Sequence, residues 1–243
     1  MSRQGAMALS WSMDKIGPIT RSAEDAAMVF AAIEGVDPKD SHTIAAGYTG
    51  YNAQRDIRKI KLGYVKADFE KDYAFKSQDS LVLIELEKMG VELVPIKLPD
   101  LPDIGFVLSA EAAAAFDELT RSGADDKMVR QERYAWPNTF REARLIPAVE
   151  YIQANRLRTI LVNDMHELMQ TVDAFVAPSW ASNSLRITNL TGHPAICVPN
   201  GFDAEGMPTS ITFTGRLFDE ATILELAQAF QKRTEWDDKH PGL

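Results

Sequence analysis

Ser12-Met13-Asp14-Lys15 sets a hydroxyl and an amine at the Ser-x-x-Lys spacing, in which a neutral lysine can take the proton of a serine attacking a carbonyl. Gly17-Pro18 follows and breaks the helix that would align the two, and neither Ser-Asp-Asn nor Lys-Thr-Gly occurs, so the segment reads as a structural loop. His166-Glu167 opens like a zinc-protease helix, but Gln170 stands where the second histidine should ligate. A polar helix face accounts for that pair. The single cysteine, Cys197, sits in the apolar run Ala195-Ile196-Cys197-Val198 and reads as a small buried hydrophobe. Arg55, Arg58, Lys59, Lys61 and Lys66 could form an anion site, yet Asp56 interrupts them and a solvated surface is the simpler account. The acidic pairs Asp125-Asp126 and Asp237-Asp238 read as solubilising loop and tail. No Gly-x-Ser-x-Gly elbow, phosphate loop or Gly-x-Gly-x-x-Gly fingerprint occurs. No metal and no cofactor is expected.

The elements that must position these groups follow from periodicity and capping. Ser22-Ala23-Glu24-Asp25 is a capping box for a helix over 23–34, stopped by Gly35. Strand 60–65, helix 77–89 and strand 91–96 make a βαβ unit. Ser109 opens an alanine-rich helix to 118, and 123–146 is irregular, Trp136-Pro137 breaking any helix, with Asn138 able to cap a short one ending near 145. Pro147 suits the first position of a long helix running to about 171. Residues 174–177, 195–198 and 210–214 read as three strands of one sheet, the last two joined through 202–207, before an amphipathic helix over 219–232. The fold class is α/β, a mixed β-sheet flanked by helices.

With 243 residues, 45% hydrophobic and 25% charged, the chain can bury a real core. Its 26 basic against 35 acidic residues give a net charge of −9, the wrong sign for gripping a phosphate backbone, so no nucleic-acid partner is expected. The longest apolar run, 26–33, falls far short of the roughly 20 residues that cross a membrane. No signal peptide is readable, and one cysteine permits no internal disulfide; the cytoplasm is the expected compartment.

Two segments go beyond generic pattern. Ser2-Arg3-Gln4-Gly5 through Ser10-Trp11-Ser12-Met13-Asp14-Lys15-Ile16-Gly17-Pro18-Ile19-Thr20-Arg21-Ser22 resembles the stretch just after the signature of amidase signature hydrolases. Asn189-Leu190-Thr191-Gly192-His193-Pro194-Ala195 through Pro199 resembles that family's Asn-Leu-x-Gly-x-Pro-Ala segment, with Gly206-Met207-Pro208 and Gly215-Arg216-Leu217-Phe218 following in order. Trp136-Pro137 through Tyr151 is similar to the middle of some members, and His240-Pro241-Gly242-Leu243 to their ends. The resemblance implies that residues 1–243 are the C-terminal portion of a single amidase domain, with a partial amidase signature fold. It also implies a serine hydrolase of carboxamides, using a nucleophilic serine, a bridging serine and a basic lysine.

Those three groups belong upstream of the equivalent of Ser2, so no catalytic residue carries over and the chain alone is expected to be inactive. The substrate-side candidates are Trp11, Ser12, Asp14, Trp136, Asn189 and His193. For Ser12, Asp14 and Asn189 the competing account is a hydrogen bond to loop backbone; for the two tryptophans it is packing, and for His193 a structural role. The expected partners are a small amide substrate and either the missing N-terminal segment or a second copy. The branch that amidates misacylated transfer RNA carries an acidic residue before its Asn-Leu-x-Gly segment. Ala181-Ser182-Asn183-Ser184 has none, which argues against that branch. The alternatives are a complete enzyme using Ser12 and Lys15, and a non-catalytic binding or regulatory subunit.

Overall fold

The computed structural model describes residues 1–46, 48 and 50–241, so Gly242 and Leu243 lie outside the described residues. In chain order the elements are α1 (Ala23–Ile33), β1 (Lys61–Val65), α2 (Lys66–Glu70), α3 (Lys76–Lys88), β2 (Glu92–Ile96), α4 (Phe106–Ala115) and α5 (Asp117–Arg121). Then come α6 (Trp136–Ala143), α7 (Ala148–Met169), β3 (Ala174–Pro178), α8 (Ser184–Thr191), β4 (Ala195–Phe202), β5 (Pro208–Gly215) and α9 (Glu220–Thr234). The five strands form one mixed sheet in the order β2-β1-β3-β5-β4, parallel across β2, β1 and β3 and antiparallel from β3 to β5 to β4.

Strand alternation divides the core between the two faces of this sheet. On β3 every residue is buried: Ala174 and Val176 point to one face and Phe175 and Ala177 to the other. The first face packs Leu62, Ile211 and Phe213 against Val82 and Leu86 of α3 and Leu226 and Phe230 of α9. The second packs Phe175 against Leu161 and Met165 of α7 and Ile187 of α8. Gly63 is the point of closest approach on β1, where an added Cβ would lie 3.0 Å from Ile96 Cδ1 and 3.1 Å from Phe175 Cβ.

The serine half of the expected capping box forms, Asp25 N donating to Ser22 Oγ at 3.0 Å, while Ala23 N donates to Gln231 Oε1 and ties α1 to α9. Two expectations need correction, and helix α8 was not read at all. Trp136-Pro137 begins α6 instead of breaking a helix, because proline in the first turn has no amide to lose. Asn138 does not cap it; its amide donates to the Gln131 and Glu132 carbonyls. Helix α8 forms over residues whose polar side chains gave no helical stripe, and Gly192 at φ +85° closes it.

A buried polar chain joins α3 to β4. Asp79, 2% exposed, accepts from Asn200 Nδ2 at 2.7 Å and from the Tyr73 hydroxyl at 3.1 Å, while Thr209 Oγ1 donates to Asn200 Oδ1. Burial raises the Asp79 pKa, against the two hydrogen bonds. The folded state thus disfavours the charged carboxyl, so its contribution is greatest below the unfolded pKa and declines as pH rises towards the raised folded value. Asp79→Asn keeps the Asn200 bond and is expected to hold or raise the melting temperature at pH 7. Asp79→Ala, which leaves Asn200 and Tyr73 unpaired, is expected to cost about 1–3 kcal/mol in urea unfolding. An Asp79→Asn loss as large as the alanine loss would contradict this.

Candidate functional site

A cavity of about 1000 Å³ opens where the segment holding Arg3, Trp11 and Ser12 crosses α4 and α7. Its polar floor is built on Glu111, 5% exposed, the one charged residue of the alanine-rich helix α4. The Glu111 carboxylate accepts from Ser10 Oγ at 2.6 Å, Ser12 Oγ at 2.6 Å, Ser12 N at 3.0 Å and the Tyr151 hydroxyl at 2.9 Å. Burial by itself would raise its pKa, but the bonds from Ser10, Ser12 and Tyr151 outweigh that and hold it below the usual glutamate value. The Tyr151 pKa is raised by burial and then by Glu111, which keeps the phenol a donor.

Arg158 of α7 closes the floor from the other side. Its Nη1 donates to Ser12 Oγ at 2.6 Å, its Nη2 to the Ser12 carbonyl at 2.9 Å and its Nε to the Leu190 carbonyl at 2.5 Å. Ser12 therefore sits between a guanidinium, which cannot accept its proton, and a carboxylate whose hydrogen bonds depress its pKa and leave it a weak base. Lys15 points elsewhere: its Nζ donates to the carbonyls of Thr188 and His193, both at 3.2 Å, and desolvation there lowers its pKa. The Ser-x-x-Lys spacing thus does not form a pair in the fold.

The other candidates separate in space. Trp11, half exposed, lines the cavity with Ser12. Asp14 accepts from Leu9 N at 2.8 Å and Ser10 N at 3.1 Å, which fixes the loop. Trp136 stacks on Phe140 at 5.5 Å, Phe140 stacks on Phe116 at 4.9 Å, and Trp136 is not among the residues lining the cavity. Asn189, half buried on α8, also lies outside the cavity. His193 is 1% exposed beside the Gly192 turn, with Nδ1 2.8 Å from Thr191 Oγ1. Glu111, Tyr151 and Arg158 escaped the sequence reading. The one available signal was a lone carboxylate in a helix otherwise of alanine and apolar side chains.

Two surface readings change. Asp125, assigned to a solvated loop, is 1% exposed and pairs with Arg141 at 2.6 Å. Cys197, assigned to the core, is exposed on β4, with Sγ 3.0 Å from Thr212 Oγ1, because β4 is the sheet's last strand and its outward residues have nothing packed over them. Iodoacetamide is therefore expected to add one equivalent to the native chain at a rate within about tenfold of the unfolded chain; labelling that waits for denaturant would contradict the exposed position. In the basic cluster Arg55 pairs with Glu225 at 2.9 Å and Arg58 with Asp56 at 2.7 Å, the Arg58 side chain staying mostly solvated. Among the described residues no helix is long and apolar enough to cross a membrane. No group of three metal-ligating side chains occurs among them either.

Comparison with known proteins finds relatives in sequence and in fold. The family model described as Amidase matches residues 1–191. The chain is 27% identical over 301 residues to a component of the glutamyl-tRNA(Gln) amidotransferase of Cupriavidus necator, covering 100% of this chain and 60% of that protein. It is 26% identical over 271 residues to an amidase of Pseudomonas putida, covering 98% of this chain and 57% of the relative. In three dimensions it superposes on an amidase family protein from Bacillus anthracis with a TM-score of 0.80 at 20% identity, over 100% of this chain and 52% of that one. The chain thus spans about three fifths of the curated relatives it matches.

Proposed function

The chain belongs to the amidase family, and from that premise we propose that it is the C-terminal part of a carboxamide hydrolase whose nucleophile and base lie in other residues of the working enzyme. The observation that carries this reading is the division of its own Ser-x-x-Lys pair. Ser12 Oγ is held 2.6 Å from both Glu111 and Arg158, while Lys15 Nζ is held on backbone carbonyls at 3.2 Å. No Gly-Gly or Ser-Ser dipeptide occurs in the 243 residues, so the family's glycine- and serine-rich signature has no counterpart here. In this reading the chain contributes a wall of the substrate cavity and the sheet on which the signature segment docks.

The substrate is a carboxamide, cleaved in the cytoplasm, and the open edge at β4, where Ala195 and Cys197 are exposed, is the place for the signature segment. The lack of an acidic residue in 181–184 favours a simple amidase over a glutamine-using transfer-RNA enzyme. The test is to express the chain with the signature-bearing N-terminal segment of the Pseudomonas putida amidase as a separate polypeptide and to assay ammonia from simple carboxamides. Ammonia from the pair and none from either chain alone is expected. Ammonia from this chain alone, or none from a pair that co-purifies as a stable complex, would overturn the proposal.

A further inference from the structure

The cavity also indicates what kind of amide would fit. Its wall is made of Ala110 and Ala114 from α4, Ala143 from α6, Ile146, and Ala148 from α7. Four of these five side chains stop at Cβ, and that leaves a space of about 1000 Å³, at the top of the roughly 300–1,000 Å³ range of small-molecule sites. Trp11, half exposed, supplies an aromatic surface at the same cavity. A methyl-sized acyl group would leave most of this apolar wall facing water.

The polar groups at the cavity limit the ligand's charge. Glu111 and Arg158 are matched to each other through Ser12, so neither calls for an external ion. Arg3 spends Nη1 on the carbonyls of Trp11 and Asp14, leaving Nη2 as a donor with no hydrogen bond among the described residues. His42, with Nδ1 3.3 Å from Asp40 Oδ1, lines the same cavity. Asp40 thus answers His42 and lies 4.0 Å from Arg3 Nε, and the donor still lacking an acceptor among the described residues is Arg3 Nη2, which a carbonyl oxygen can satisfy.

Resting on the hydrolase reading above, we propose that this cavity binds the acyl portion of an arylalkyl carboxamide, the ring against the alanine wall and Trp11 and the carbonyl oxygen towards Arg3. The probe is 4-phenylbutyramide, titrated calorimetrically into the chain as it stands, with acetamide as the small control. Ala114→Trp and Ala148→Phe fill the cavity from two exposed helix positions, so neither disturbs the core.

Saturable binding of 4-phenylbutyramide, at least about tenfold weaker in either filled variant, with no saturation by acetamide, is the expected result. Absence of saturable binding, binding unchanged in both filled variants, or equal binding of acetamide would overturn the proposal. The readout needs no turnover, so it is separable from the hydrolase reading. A pair of chains that releases ammonia while binding ignores the fillers defeats the acyl pocket alone, and filler-sensitive binding without ammonia defeats the hydrolase reading alone.

Discussion

Glu111→Ala is expected to destabilise the fold by about 3–5 kcal/mol, the cost of breaking a buried charge network by removing one partner. The carboxylate accepts four hydrogen bonds from Ser10, Ser12 and Tyr151, residues that lie 101, 99 and 40 positions away in the chain. Its loss leaves two buried or half-buried hydroxyl donors without acceptors and the Arg158 guanidinium without its counter-charge. Glu111→Gln keeps the shape but presents an NH₂ group to donors, and about 1–3 kcal/mol is expected for it. Urea unfolding of the two variants gives the order, and an alanine variant within about 0.5 kcal/mol of the parent would mean that the loop at 10–14 is held by something else. Because the folded Glu111 pKa is depressed, its charge contribution is present above the unfolded value of 4.5 and is lost as pH falls through the folded one.

Stability is expected to fall at a higher pH than that, and His193 is the reason. Burial, then the charges of Lys15 and His166, bring its pKa from 6.5 down to about 4. The folded chain therefore holds the ring neutral, while the unfolded chain binds a proton at 6.5. Stability from this residue is complete above the unfolded pKa and drains as pH drops towards about 4, with a ceiling of about 3 kcal/mol for a fall from 6.5 to about 4. The neutral ring also keeps its Nδ1 partner, Thr191 Oγ1 at 2.8 Å, in place beside the Gly192 turn. His193→Gln removes the titration, so its unfolding free energy is expected to be nearly flat between pH 7 and pH 5 where the parent declines. A parent curve as flat as the variant's would show that His193 is not held neutral by the fold.

The local sequence carried the elements whose signals are local. The Ser22 cap, the strands at 61–65 and 92–96 with α3 between them, and the β4–β5 hairpin through Asp203 and Gly206 all declare themselves locally, whereas the short helix α2 after β1 was not read. Helix α8 was not read either, because Ser184-Leu185-Arg186-Ile187-Thr188 has too little apolar stripe to betray a helix that tertiary packing of Ile187 and Leu190 supports. The same limit separates Trp11 and Ser12, which do reach the cavity, from Asn189, which does not. Position along a motif says little about which side of the sheet a residue ends on. Glu111 is the clearest case, since a carboxylate among alanines gives no hint that serines a hundred residues earlier will donate to it. Cys197 was misplaced for a related reason. An apolar run reads as core, but only the strand order shows that β4 closes the sheet with no strand beyond it among the described residues.

Whether this chain's own residues pair a nucleophile with a base is tested most directly by incubating the purified chain with a panel of simple carboxamides and with a serine-reactive fluorophosphonate, following ammonia and intact mass together. No ammonia and no adduct are expected, with Ser12 protected by Glu111 and Arg158. Ammonia release together with a single adduct that maps to Ser12 and vanishes in Ser12→Ala would contradict the half-enzyme reading.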